Sequence, residues 1–405
     1  MTDLEKFQKR VEGINYLDYS PVVVEMANGK IVKVERINKL SEENKHVFIA
    51  PGLIDIQING FNSVSFSLQG AEGTQEGEGE LTAEGVERVT KALWKEGITT
   101  YFPTLTTNSQ KLLLKNFAIL ARAKNNPLLL GSIPGFHLEG PYISPVDGYR
   151  GAHPKEYVRK PDWKEFLELY NAAGGKILLV TLAPEIDGAF EFIRKCREKG
   201  IVISLGHHNA SAEVIKQAID NGAGLATHLG NGCANIIHRH LNPFWPQLAD
   251  DRLMISIISD GFHLPPEILQ VFYKAKGAEN IIIISDVTSY AGLPPGEYKI
   301  KTGATIEKTS DGSLRFSGQE GGLYGSASSL LKGVGHIMRV TGCSLAKAIQ
   351  MTTINPARLH NLNDRGKLEP GKRADIILFT MNDFNLKIRQ TIVEGKIVFQ
   401  LNDKK

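Results

Sequence analysis

The sequence predicts an α/β fold, a (β/α)8 TIM-type barrel joined to a small β-sandwich domain built from both chain termini, and three observations lead there. Short, almost wholly apolar runs recur through the middle of the chain: "GLIDIQING", "TTYFPTL", "IPGFHLEG", "ILLVTLAPE", "IVISLGHH", "LATHLG", "ISIISDG" and "IIIISD". Runs of this length, lacking the polar alternation of a half-exposed strand, suit a parallel sheet covered on both faces. They alternate with helical stretches, and eight such units fit a closed barrel better than an open sheet. The third observation is that both chain ends are β-rich and lack helical periodicity.

At the N-terminus, "VVVEMANGKIVKVERI" places two strands around Asn28-Gly29, a strong short-range hairpin signal. At the C-terminus, "ADIILFTMNDFNLKIRQTIVEGKIVF" supplies three more strands separated by "NDFN" and "EGK". Residues 1–50 and 364–405 are therefore assigned to the small β domain and 51–363 to the barrel. A further hairpin at Asp311-Gly312, in "IEKTSDGSLRF", interrupts the last barrel unit. The Gly- and Glu-rich segment 69–80, "QGAEGTQEGEGE", reads as a mobile loop after the first strand.

With 405 residues, 42% of them hydrophobic, the chain can bury a large core. Its 47 basic and 44 acidic residues leave a formal net charge of +3, too balanced for a nucleic-acid or membrane surface. The three cysteines, Cys196, Cys233 and Cys343, are too scattered for a disulfide framework or a Cys-x-x-Cys zinc site. "MTDLEKFQKR" has no apolar signal region, and no run approaches the roughly 18 apolar residues of a membrane span. A soluble, cytoplasmic protein is expected.

The chemistry sits at the ends of the apolar runs. Glu139, His207, His228, Asp260 and Asp286 each end a successive strand, and in a barrel those ends converge on the face where active sites are built. Singly, each has a plainer reading as a helix cap or a structural histidine. Together, Glu139, His207 and His228 supply three ligands, the number a catalytic zinc site uses while keeping one position open. In "PGLIDIQING" a metal-binding His-x-His pair would end the first strand, but Gln57 and Asn59 stand there. Amides bind transition metals poorly, so this end is expected to hydrogen-bond around a single metal or its water instead of holding a second ion. Asp286, with no basic neighbour in sequence, is the candidate proton acceptor and donor.

Several neighbours are assigned away from the chemistry. His208 is expected behind the ligands or at the surface, and His336 in the core or at the surface of an amphipathic helix. Lys332 and Lys347 read as solvated helix faces, and Cys233 as a small buried residue.

The motifs "PGLIDIQING", "HLEGPYIS" followed by "GAH", "LGHHNAS", "THLGN", "SDGFHLPPE", "ISDVTSYAG", "LYGSASSL" and "TTINPARLHNL…GKLEPGKRADIILF", in this order and spacing, resemble the N-acetylglucosamine-6-phosphate deacetylases of the amidohydrolase superfamily over nearly the whole chain. The resemblance implies hydrolysis of the N-acetyl group of a 6-phosphorylated amino sugar, giving acetate and the free amine. It implies one divalent metal per subunit on Glu139, His207 and His228, Zn first, with Fe, Mn or Co also suited to the ligands. Asp286 would act as base and then acid, and His153 would polarise the acetyl carbonyl. Asn231, Gly232, Ala152 and Leu323 match sugar-contacting positions. Arg239 and His263 match phosphate-binding positions, the arginine reaching the neighbouring subunit of a homodimer. Two features depart from the pattern: "GNGCANIIHRHLNPFWPQLADD", with Arg239 between two histidines, and the long segment 69–80. The competing readings are an amidohydrolase for another N-acyl substrate and a non-catalytic barrel scaffold.

Overall fold

In a computed structural model that describes residues 9–67, 81–299, 304–317 and 322–401, eight strands form one parallel sheet. In chain order they are Leu53–Ile58, Ile98–Thr106, Phe136–Glu139, Ile177–Leu182, Val202–Leu205, Ala223–Ala226, Met254–Ile257 and Ile281–Ile283. Each predicted apolar run contributes one strand. Side chains alternate between two buried environments, as a sheet covered on both faces requires. Phe136 and Leu138 pack into the layer beneath the helices, whereas Phe102, Leu179, Leu225, Ile282 and Ile284 fill the barrel interior.

The barrel closes without a regular ladder between its first and eighth strands. The Asp55 carboxylate accepts the backbone N–H of Ser285 at 3.2 Å, and the N–H groups of Asp286 and Asn59 donate to the carbonyls of Gln57 and Val287. Burial pushes the Asp55 carboxyl up to about 7, against the N–H hydrogen bonds of this closure, which favour the carboxylate.

Around the sheet run helices α1 Ala83–Lys95, α2 Gln110–Lys124, α3 Trp163–Ala172, α4 Ala189–Glu198, α5 Ala212–Asn221, α6 Phe244–Ala249, α7 Pro266–Lys276 and α8 Leu330–Thr341. Thr82, Ser109, Asp162 and Ser211 cap the N-termini of α1, α2, α3 and α5 with their side chains, satisfying backbone N–H groups the helix itself cannot. No helix among the described residues is long and apolar enough to cross a membrane.

The two chain ends meet in a separate seven-stranded, mostly antiparallel sheet. At its centre Phe48–Pro51 pairs parallel with Lys9–Asn15 and antiparallel with Ile376–Asn382. Asn28 and Gly29 both have positive φ in the turn joining Pro21–Ala27 to Lys30–Arg36, as a tight hairpin demands. Gly52 joins this sheet to the barrel, and a Cβ there would lie 2.2 Å from Thr99 Oγ1 and 2.7 Å from Thr99 Cβ, so the absence of a side chain lets the chain pass against Thr99. The Asp311-Gly312 hairpin is present in a three-stranded antiparallel sheet of Gly296–Lys299, Thr305–Lys308 and Leu314–Phe316. The segment 69–80 lies outside the described residues.

Candidate active site

Glu139, His207 and His228 meet at the C-terminal mouth of the barrel, all buried, and are a group able to hold a metal ion. Glu139 Oε1 lies 3.0 Å from His228 Nε2 and 3.3 Å from His207 Nε2, and the two Nε2 atoms are 3.1 Å apart. Tetrahedral zinc with bonds of about 2.0–2.1 Å would hold neighbouring donor atoms about 3.3 Å apart, so the donor set fits such an ion. His207 Nδ1 lies 3.1 Å from the Tyr149 carbonyl oxygen, and donating its proton there leaves the Nε2 lone pair aimed at the centre. Burial opposes the charge on Glu139, yet hydrogen bonds from His207 and His228 outweigh it and hold the carboxyl well below the usual range. Burial also works against a charged His228, and Glu139 more than reverses that, raising the imidazole.

The backbone is specialised here. His207, His228 and Asp286 all have positive φ, a conformation that non-glycine residues adopt only where their surroundings hold them. A Cβ on Gly232, at φ +60°, would stand 2.8 Å from the His207 ring and 3.1 Å from that of His228. Its backbone therefore lies directly against both histidines.

Gln57 occupies the place of a missing histidine and does different work. Its Nε2 lies 3.0 Å from both Glu139 Oε1 and Asp286 Oδ1. Asn59 Nδ2 adds a second hydrogen bond to Asp286 Oδ1 at 2.7 Å. A register irregularity between Asp55 and Ile58 in the pairing with the second strand accompanies this arrangement. The two hydrogens of the Gln57 amide thus bridge two carboxylates while Asn59 adds a second donor to Asp286, whereas a neutral imidazole has a single N–H to give. Burial, and next the Glu139 charge, push the Asp286 carboxyl up to about 6. Asp286 nonetheless remains partly exposed at the mouth.

His153 is buried, its ring centroid 4.4 Å from that of His207 and its Nδ1 2.8 Å from Thr107 Oγ1. Burial, reinforced by His207, lowers its imidazole to about 3, so it stays neutral. A Cβ on Gly140 would lie 2.1 Å from Thr107 Oγ1, so the turn after Glu139 leaves room for that hydroxyl. The sequence reading missed Thr107, although a polar residue ending the apolar run "TTYFPTL" offered the same signal as the other strand ends.

The remaining assigned residues divide. Asn231 is half-buried and donates its N–H to the His228 carbonyl at 2.9 Å, whereas Ala152 is exposed beside His153. Leu323 is half-buried and bridges to Arg315 on the three-stranded insertion. His263 packs against Asp260, with its Nδ1 2.8 Å from Asp260 Oδ2. Arg239 is not brought into the pocket of its own chain: it is exposed, and its guanidinium has no partner among the described residues. His208 is buried at 5% exposure beside the strand end, not at the surface. Lys332 departs from its expected solvated face, since it is half-buried with its Nζ 4.0 Å from the Phe262 ring centroid.

Residues 48–398 match the model of the amidohydrolase family. The chain is 30% identical over 391 residues to N-acetylglucosamine-6-phosphate deacetylase from Bos taurus, spanning 93% of this chain and 91% of that one. Against the deacetylase of Caenorhabditis elegans it is 31% identical over 366 residues, 88% of this chain and 84% of the other. Among solved structures, a mutant N-acetyl-D-glucosamine-6-phosphate deacetylase from Mycobacterium smegmatis, in complex with N-acetyl-D-glucosamine-6-phosphate, superposes with a TM-score of 0.83 at 26% identity, covering 96% of this chain and 99% of that one. A barrel with this donor cluster at its mouth, matched end to end by such relatives, places the chain in the amidohydrolase family, among its N-acetylglucosamine-6-phosphate deacetylases.

Proposed function

We propose that this protein hydrolyses N-acetylglucosamine 6-phosphate to glucosamine 6-phosphate and acetate. The observation that carries the reading is the buried Glu139, His207 and His228 cluster joined through Gln57 to Asp286, in a chain 30% identical to a deacetylase over 93% of its length. A divalent cation on those three residues, zinc first, supplies Lewis acidity toward water and the acetyl carbonyl. Asp286 removes a proton from the attacking water and returns it to the amine as the C–N bond breaks. Gln57 and Asn59 keep its carboxylate oriented while that proton is held. His153, neutral, donates from Nε2 to the carbonyl oxygen as negative charge develops there, with the Thr107 hydroxyl donating to Nδ1 to fix the tautomer. The half-buried Asn231 and the backbone at Gly232, Ala152 and Leu323 line the way to the sugar.

At the phosphoryl end, His263 is the nearer basic group and Arg239 comes from a second copy. The support for a homodimer is the loop carrying Arg239 and the start of α6 that follows it, where Ile236 is 90%, Leu241 81% and Trp245 53% exposed. Apolar side chains so exposed around a free guanidinium suit a surface that another subunit covers. A cytoplasmic setting agrees with the free cysteines and a phosphorylated substrate.

Acetate release from N-acetylglucosamine 6-phosphate and from N-acetylglucosamine, with metal content determined and Asp286→Asn as control, tests the reading. Turnover of the phosphorylated sugar that is lost in the variant is expected. Turnover of neither sugar by metal-loaded protein would reject it in favour of another N-acyl substrate.

A further inference from the structure

We infer that Asp260 is a positioning residue for the phosphoryl end of the site, fixing His263 so that Nε2 is the ring nitrogen that meets the anion; this rests on the assignment of His263 to the phosphate above. Asp260 ends the seventh apolar run and is 5% exposed, yet it takes no part in the chemistry derived so far. Among the described residues, the hydrogen bonds of its carboxylate all go to one short loop. Oδ1 accepts the backbone N–H groups of Phe262 at 2.8 Å and His263 at 3.0 Å, and Oδ2 lies 2.8 Å from His263 Nδ1.

The loop is gripped from its other side as well. Gly261 has φ +88°, and a Cβ there would stand 3.2 Å from His336 Cε1 on α8. Lys332, also on α8, lies over the Phe262 ring and donates to the Asp311 carbonyl of the insertion. The backbone of Asp260 through His263 is thus held by the contacts of α8 together with Oδ1, whereas the ring orientation of His263 and its protons depend on Oδ2.

A buried carboxylate beside an anion site would repel a phosphate monoester unless its charge were matched. Because Oδ2 takes the Nδ1 proton, any N–H offered to phosphate must come from Nε2, and a ring donating at both nitrogens is an imidazolium. Asp260 and that cation cancel, leaving one charge-assisted N–H for the phosphoryl oxygen. In Asp260→Asn the amide can still accept the two backbone N–H groups, but its NH2 can turn toward Nδ1. The ring then meets phosphate as a neutral Nε2–H donor.

The test is a double-mutant cycle with Asp260→Asn and His263→Gln, read by steady-state kinetics on N-acetylglucosamine 6-phosphate and by inhibition with inorganic phosphate. Asp260→Asn should raise KM and the phosphate inhibition constant by about 10-fold, with kcat changed by less than about 3-fold. In the His263→Gln background the same substitution should add nothing. Equal effects in both backgrounds, or an unchanged KM, would overturn the inference while leaving the deacetylase reading intact. A wild-type enzyme that neither prefers the phosphorylated sugar nor is inhibited by phosphate would overturn both. Nitrogen-15 NMR of the wild-type histidines provides a measurement independent of whether the variants fold. Saturating phosphate should leave His263 protonated on both ring nitrogens, and a neutral ring would sink the proposal.

Discussion

The Nε2 atoms of His207 and His228 stand 3.1 Å apart, both buried and both also within hydrogen-bond distance of Glu139 Oε1. Two facing imidazole nitrogens at that separation need a proton or a cation between them. Protein stripped with a chelator should therefore melt several degrees lower than zinc-loaded protein, since a ligand present at about 1,000 times its Kd stabilises the folded state by about 4 kcal/mol. Differential scanning calorimetry with metal titration checks this. In His228→Ala, tightly bound metal should fall from one per chain toward none.

Gln57 joins Glu139 to Asp286, so removing its amide should affect both metal affinity and turnover. Gln57→Leu, similar in size, is expected to lower kcat/KM by about 10- to 100-fold and to weaken metal binding. Unaltered kinetics at full metal occupancy would show that the amide bridge is dispensable.

Thr107 lies behind His153 and touches no substrate in this mechanism. Thr107→Val removes the hydroxyl with little change in volume and should lower kcat by about 10- to 100-fold. KM should change little, because the His153 interaction strengthens as charge develops on the carbonyl oxygen. A rise in KM at constant kcat would assign Thr107 to ground-state binding.

In the proposed mechanism Asp286 must be ionised to take a proton from water, so the rate should rise with pH through its ionisation. Without metal, burial and the Glu139 charge put that ionisation at about 6. A nearby divalent cation favours the carboxylate and draws it lower. The acid limb of kcat/KM for metal-loaded enzyme should therefore fall below pH 6. An inflection above 6 would contradict the assignment.

Asp55 ties pH to stability in the opposite sense. Burial raises its carboxyl to about 7 in the folded chain, above the value of about 3.9 for an unfolded aspartate. The folded state therefore binds more protons between those values. The stability from this group is fully present below about pH 4 and is lost as pH rises through 7. In chelator-treated protein, Asp55→Asn should flatten the dependence of Tm on pH between 5 and 7. The same slope in both proteins would place the ionisation elsewhere.

The eight strands, the hairpins at Asn28-Gly29 and Asp311-Gly312, and the pairing of the two termini were legible in the sequence, because apolar periodicity and turn chemistry are local properties. So were the donor residues: Glu139, His207, His228 and Asp286 stood out as polar residues ending apolar runs, and barrel topology brings such ends together whatever the intervening chain. Thr107 carried the same signal more faintly, since a threonine is unremarked in a strand.

What Gln57 does was decided only by the tertiary structure. Its sequence position told that a histidine was missing, but its two carboxylate partners lie 82 and 229 residues away. Lys332 shows the same limit, for its helix pattern marks an outer face and only the packing of α8 brings it over Phe262. Sequence by itself determined which strands form and which donors end them, because these follow from each segment's own pattern. Which donor meets which carboxylate was left to the folded chain, because electrostatic and hydrogen-bond partners are chosen by distance through space, and that distance exists only once the barrel closes.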